Sequence, residues 1–209
     1  GFTTAGLGKI WHPNICEGAA VGEQAASWSL PYYHAPCISL GSIFNGSCFE
    51  DFPFKLPGGG RKVIGAYANA SATTDDDTPD GMIATHAVET LTKLAGQREA
   101  SGKPFFVAVG FHKPHLPHIA PKRYFDMYPI EKVSLPKHEA APSGLPAVAW
   151  NGCSEFKSYP DNAEAARVSG FSQDRPFNAS WTQWQRQAYF AAASFMDAQL
   201  AKVMGAMER

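Results

Sequence analysis

The chain has 209 residues, 44% of them apolar and 12% aromatic, enough to bury a substantial core, which excludes an intrinsically disordered segment. Eighteen basic and 19 acidic residues leave a formal charge of −1 with no basic run. The electrostatic footprint of a nucleic-acid or anionic-membrane binder is therefore missing, and no apolar stretch reaches the ~20 residues of a membrane span.

Residues 1–60 are rich in Gly, Pro, Ser and aromatics with little periodicity, which predicts loops around short strands, Thr3 to Ile10 being one. Val63-Ile64 and their neighbours predict another. The acidic run Asp75-Asp76-Asp77 leads into Thr78-Pro79-Asp80, a helix start with Asp80 as the expected N-cap. Ile83, Ala87, Leu91 and Leu94 then recur at helical spacing, widened by Val88 and Ala95, until Gly102 and Pro104 stop the helix. Phe105 to Val109 is a continuous apolar run closed by Gly110. A helix followed by such a run is the pattern of an αβ unit in a sheet covered on both faces.

Pro121 to Tyr128 reads as a short helix, and residues 129–180, with many Pro, Gly and Asn, read as surface loops. From Trp181 the chain turns helical. Tyr189, Ala193, Met196, Leu200, Val203 and Met207 alternate by four and three, so one face is apolar. The helix reaches Arg209 without a Gly or Pro stop, and a further strand is expected to follow it.

Cys16, Cys37, Cys48 and Cys153 form no CxxC pair, which argues against a structural zinc site. Cys37 and Cys48 flank a Gly/Ser/Asn-rich loop of a length that a disulfide often closes; two unrelated buried thiols are the alternative. Asn45-Gly-Ser47, Asn69-Ala-Ser71 and Asn178-Ala-Ser180 match the N-glycosylation acceptor pattern. Together these features favour a secreted, periplasmic or lysosomal location over the cytosol.

Two segments carry most of the chemistry. His112, Lys113 and His115 directly follow the Phe105–Val109 strand, and ligands of open α/β sheets sit outside the carboxyl ends of strands. Pro114 stiffens the segment. In Gly8-Lys9-Ile10-Trp11-His12-Pro13, a compact ammonium suited to a sulfate or phosphate oxygen stands near an imidazole able to exchange a proton near neutrality. Ordinary surface histidines, an exposed lysine and a core-packed His12 are the alternatives for each segment alone.

Taken together, these segments resemble the sulfatase family of the alkaline-phosphatase-like superfamily, most closely its iduronate-2-sulfatase branch. The resemblance is carried by Gly8 to Pro13, Ser27-Trp28-Ser29-Leu30-Pro31-Tyr32-Tyr33-His34, Pro104 to His115, Gly144 to Asn151, Arg186 to Ala191 and Asp197 to Leu200, in that order. It implies an α/β fold, a partial alkaline-phosphatase/sulfatase-like mixed sheet flanked by helices with long loops. Residues 1–209 are then expected to be the central part of a sulfatase catalytic domain.

The resemblance also implies the chemistry: a formylglycine nucleophile attacks the sulfur of a sulfate ester, assisted by a divalent cation, usually Ca2+. Lys9 is implied to bridge nucleophile and sulfate, His12 to act as the base that expels sulfate, and His115 to contact the sulfate and serve as general acid. Lys113 and His112 are expected as further substrate contacts and His34 as a residue facing the sugar, with a structural role as the equal alternative for each. The implied partner is a sulfated carbohydrate such as a glycosaminoglycan bearing iduronate 2-sulfate.

None of the four cysteines stands in the family's Cys-x-Pro-Ser-Arg motif, and Asp75–Asp77 lie too far downstream to be its first metal carboxylates. Asp161-Asn162 mimics the second metal motif but is expected in a loop and is rejected. The nucleophile and Ca2+ ligands are thus expected outside this window, and the 209 residues alone are expected to be inactive. A phosphate or phosphonate ester hydrolase of the same superfamily remains as an alternative. So does a secreted carbohydrate-binding module using the five Trp and seven Tyr.

Overall fold

The computed structural model describes residues 1–10, 25–35, 67–70 and 74–208. In chain order the elements are β1 (Thr3–Gly8), β2 (Tyr67–Ala70), α1 (Pro79–Ser101), β3 (Phe105–Gly110), β4 (His118–Pro121), α2 (Lys122–Asp126), α3 (Pro160–Ser169) and α4 (Ala179–Met207), with short 3-10 turns in the loops. The described fold is α/β, with parallel strand pairs and flanking helices. The chain divides into two units. The first comprises Gly1–Asp51, Thr73–Lys113 and Phe195–Arg209, and the second Phe52–Ala72 and Pro114–Ser194.

In the first unit β1 pairs in parallel with β3, in a register that sets Thr3 against Phe105 and Gly8 against Gly110. The segment after Ser27 lies along the other edge of β1, where Tyr33 donates its N–H to the Gly6 carbonyl and accepts from Gly8. α1 covers this sheet with the stripe its sequence spacing predicts: Ile83, Ala87 and Leu94 are buried, joined by Ala84, against Ala5 and Leu7 of β1 and Val203 of α4. Each fully buried Leu or Ile contributes about 1.5–3 kcal/mol, so this face fixes where the helix starts relative to the strand ends.

The N-cap of α1 is Thr78 rather than Asp80. Thr78 is extended, its hydroxyl accepts the Gly81 N–H at 3.1 Å, and Pro79 takes the first helical position, where its missing N–H costs nothing. Asp80 is thereby carried inside the first turn and buried. Gly102, at φ +71°, closes the helix as the sequence predicts. The expectation that the β3 run is covered on both faces is not met at Phe106, which is 55% exposed.

In the second unit β2 pairs in parallel with β4, a strand that the sequence did not announce. α2 falls within the short helix predicted at 121–128. The expected loop region 129–180 instead contains α3, with Pro160 at its start and Gly170, at φ +63°, just past its end. Asp161-Asn162 therefore lies on a helix, not in a loop. Asn162 is fully buried, donating to the Phe156 carbonyl and accepting from Trp181 and Gln185 of α4.

α4 begins where predicted, but its buried face is rotated from the expected one. Ala188, Ala191, Ala192, Phe195, Gln199 and Val203 are buried, whereas Tyr189, Leu200 and Met207 are exposed. Small side chains let the helix approach its neighbours closely, and glutamines latch it. Gln183 and Gln187 donate to the carbonyls of Val133 and Tyr128, and Gln199 donates to the buried Asp75 at 2.7 Å. No helix among the described residues is long and apolar enough to cross a membrane.

Candidate active site

Two glycines bring the chemistry-bearing segments of the first unit together. A Cβ on Gly8 would stand 2.1 Å from the Gly110 carbonyl oxygen, and one on Gly110 would stand 1.9 Å from that of Lys9. Only hydrogen atoms fit there, so the two strand ends close on each other and the Lys9 N–H donates to the Gly110 carbonyl at 2.8 Å. Gly8, at φ +73°, then turns the chain out of β1. Lys9 and the Phe111-His112-Lys113 segment consequently leave the sheet side by side at its carboxyl edge.

Asp80 holds the second of these segments. It is 2% exposed, and its carboxylate accepts the backbone N–H groups of His112 and Lys113, each at 2.8 Å. Nδ1 of His112 lies 3.3 Å from the same carboxylate; because an ionised carboxylate only accepts, that nitrogen carries the proton. Burial pushes the Asp80 carboxyl up, but the hydrogen bonds and charge of His112 and the charge of Lys113 outweigh it, holding it below the usual carboxylate range.

Lys113 is half-buried. Desolvation drives its pKa down to about 8; Asp80 opposes the fall and the neighbouring Lys9 ammonium adds to it. Among the described residues, Lys9 and Lys113 thus stand at one sheet edge with the buried Asp80 carboxylate behind them.

An aromatic group borders the same edge. The Tyr32 hydroxyl donates to the Gly8 carbonyl at 2.5 Å, and its ring lies 5.7 Å from Trp28 and 4.9 Å from His34. A Cβ on Gly6 would meet both the Trp28 and Tyr32 rings at 2.7 Å, so these rings cover β1 closely. His34 is half-buried beside Tyr32.

His115 belongs to the second unit. Its Nδ1 is 2.7 Å from the Leu116 carbonyl and its Nε2 3.1 Å from Glu155. His12, Cys16, Cys37 and Cys48 lie outside the described residues; Cys153 is a free thiol. Among the described residues no three His, Cys, Asp or Glu side chains are grouped so as to hold a metal ion, and the donor set around Asp80 is committed to backbone amides and His112. These residues do not fit a divalent cation.

No family model matches the chain. It aligns over its full length with iduronate 2-sulfatase of Homo sapiens at 29% identity and of Mus musculus at 30%, covering 35% of each. The chain is a homologue of sulfatases, of the iduronate-2-sulfatase-like kind. A sulfatase of Formosa agariphila is 31% identical over 51% of this chain and 19% of its own length. The chain thus spans about a third of the length of the first two relatives.

Sulfatase kinship gives the lysine pair a context, yet two acidic partners of predicted residues, one in each unit, carry no clear signal in the sequence. In the sequence Asp80 reads as a cap, because an acid after Thr-Pro at a helix start has that meaning by default. Its hydrogen-bond partners lie more than 30 residues away, beyond any local signal. Glu155, beside His115, sits in a stretch without periodicity and carried no signal at all.

Proposed function

We propose that the protein is part of a sulfuric ester hydrolase acting on a sulfated sugar or glycosaminoglycan, iduronate 2-sulfate being the leading substrate class. The observation that carries this reading is the convergence of Lys9 and Lys113 at the carboxyl edge of β1 and β3, in a chain homologous to sulfatases. Two ammonium groups suit a sulfate ester, which carries one formal negative charge spread over three oxygens and gains charge on its leaving oxygen as the S–O bond breaks.

In this reading Lys9 and Lys113 hold the sulfate oxygens. A formylglycine hydrate, supplied by residues beyond this chain, releases the proton of one hydroxyl to solvent and adds that oxygen to sulfur as the ester S–O bond breaks. By the sulfatase resemblance alone, the proton for the departing alcohol oxygen is assigned to His115, whose ring nitrogens lie beside the Leu116 carbonyl and Glu155. His12 then removes a proton from the remaining hydroxyl of the sulfated hydrate, so that sulfate leaves and the aldehyde returns. Ca2+ belongs to the proposal as a Lewis acid whose ligands lie elsewhere, and no step above passes through it. His34 and Tyr32 flank the lysines where a sugar ring would extend. The sulfatase kinship and the acceptor sequons support a lysosomal, periplasmic or secreted setting.

The test is a comparison of 4-nitrophenyl sulfate, 4-nitrophenyl phosphate and a disaccharide ending in iduronate 2-sulfate, with the full-length protein that contains this chain. Sulfate release is expected, with kcat/KM falling at least about a hundredfold in Lys9→Ala, the loss typical of one removed charge-stabilising donor. Phosphate release without sulfate release would move the protein to the phosphoesterases. Equal binding of sulfated and unsulfated glycan without turnover would make it a carbohydrate-binding module.

A further inference from the structure

The Asp80 carboxylate is buried, belongs to no catalytic role above, and spends every described hydrogen bond on the segment bearing Lys113. One oxygen takes the His112 amide at 2.8 Å and the His112 ring at 3.3 Å; the other takes the Lys113 amide at 2.8 Å. Those two amides are therefore unavailable to an incoming anion, and the holding charge must come from side chains. An ammonium that is half out of water and next to another ammonium tends to lose its proton.

We propose that Asp80 is the positioning residue of the lysine pair: it ties residues 112–113 to the first turn of α1 and supplies the negative charge that keeps Lys113 cationic beside Lys9, ready for a sulfate group. The inference rests on the sulfate-ester reading for its ligand. Among the described residues, Asp80 from α1 and Lys9 from the end of β1 act on Lys113 in opposite senses, with His112 of its own segment bonded to Asp80. Removing the Asp80 charge shifts the balance towards desolvation and Lys9, so Lys113 deprotonates at lower pH. Anion affinity then fades earlier on the alkaline side.

The experiment measures the dissociation constant for inorganic sulfate between pH 6 and pH 10 on the full-length protein, alongside aryl sulfate turnover. Asp80→Asn keeps the side-chain size and one acceptor oxygen but removes the charge. Sulfate affinity in the wild type is expected to fall above about pH 8. In Asp80→Asn the fall begins about one pH unit lower, which by simple titration weakens binding about fivefold at pH 8. In a Lys113→Arg background the guanidinium stays charged, and Asp80→Asn leaves the profile where it is.

An unmoved profile in Asp80→Asn, or an equal shift in both backgrounds, would overturn the proposal and leave Asp80 a structural residue only. Should Asp80→Asn not fold, the wild type decides by nuclear magnetic resonance. The His112 and Lys113 amide protons, both donated to Asp80, are expected to shift with the same midpoint as the Lys113 ammonium; amides that ignore that titration overturn the link. Sulfate binding with the predicted pH shifts but no ester hydrolysis would support the Asp80 role while sinking the hydrolase reading, so the two failures are distinct.

Discussion

Half-burial of an ammonium removes hydration that one carboxylate only partly replaces, and Lys113 shows the size of that imbalance. Its pKa in the folded chain is about 8 against an ordinary 10.5. At about 1.4 kcal/mol per unit this is an unfavourable contribution of at most about 3 kcal/mol. Below pH 8 the group is charged in both the folded and unfolded chain, and the penalty is felt in full. Between pH 8 and 10.5 the unfolded chain binds a proton that the folded chain does not, so stability rises with pH through that window. Lys113→Met is therefore expected to be more stable than the wild type at pH 7, by up to about 3 kcal/mol, with the advantage shrinking towards pH 10.5. Asp80 keeps its two amide donors and His112 in that variant. Urea unfolding of the full-length protein at several pH values measures this; a variant less stable at pH 7 would show that Lys113 is better paired than its burial indicates. Such a trade of stability for a poised charge is common where residues serve ligands.

The strand ends set the position of these side chains, and at this scale two glycines can be told apart. Gly110→Ala would drive a methyl group to 1.9 Å from the Lys9 backbone oxygen, so β1 and β3 must part. A loss of about 1–3 kcal/mol or more is expected, together with loss of activity because Lys9 moves. Gly96→Ala, on the open side of α1 with nothing within 4 Å, is expected to stabilise by about 0.5–1 kcal/mol. Thermal unfolding of both variants checks the contrast, and equal effects would refute the close-approach argument. The same scale shows what the sequence made legible. α1, β3 and the start of α4 were readable because periodicity and Gly/Pro punctuation agree there. The Pro160 start and Gly170 stop of α3 were equally readable, but the polar surroundings of residues 129–180 masked them. The buried face of α4 is not the one its large apolar residues mark out but the one its alanines line. Burial instead follows the side that permits close packing, and Gln199 follows Asp75 inward through its hydrogen bond.

At a larger scale, the net charge of −1 over these 209 residues offers no general attraction for anions, so the local lysine pair is where this chain is expected to hold one. That Lys9 and Lys113 each follow a strand was legible in the sequence, although the convergence expected there was that of Lys9 with His12 and His115. The buried acid behind the two lysines was not legible, because nothing local distinguishes a helix cap from a long-range anchor. This arrangement has a thermodynamic signature in the folded protein. A ligand present at a hundred times its dissociation constant stabilises the native state by about 2.7 kcal/mol. Sulfate that binds a charged Lys113 must bring a proton with it once the pH exceeds about 8. Inorganic sulfate is therefore expected to raise the melting temperature of the full-length protein by a few degrees at pH 7. The rise should be clearly smaller at pH 9.5, and chloride at matched ionic strength should give neither effect. The increment at pH 7 should largely vanish in Lys113→Met even though that variant starts from a higher melting temperature. An increment that persists unchanged at pH 9.5 would mean that the anion is gripped by groups other than this pair.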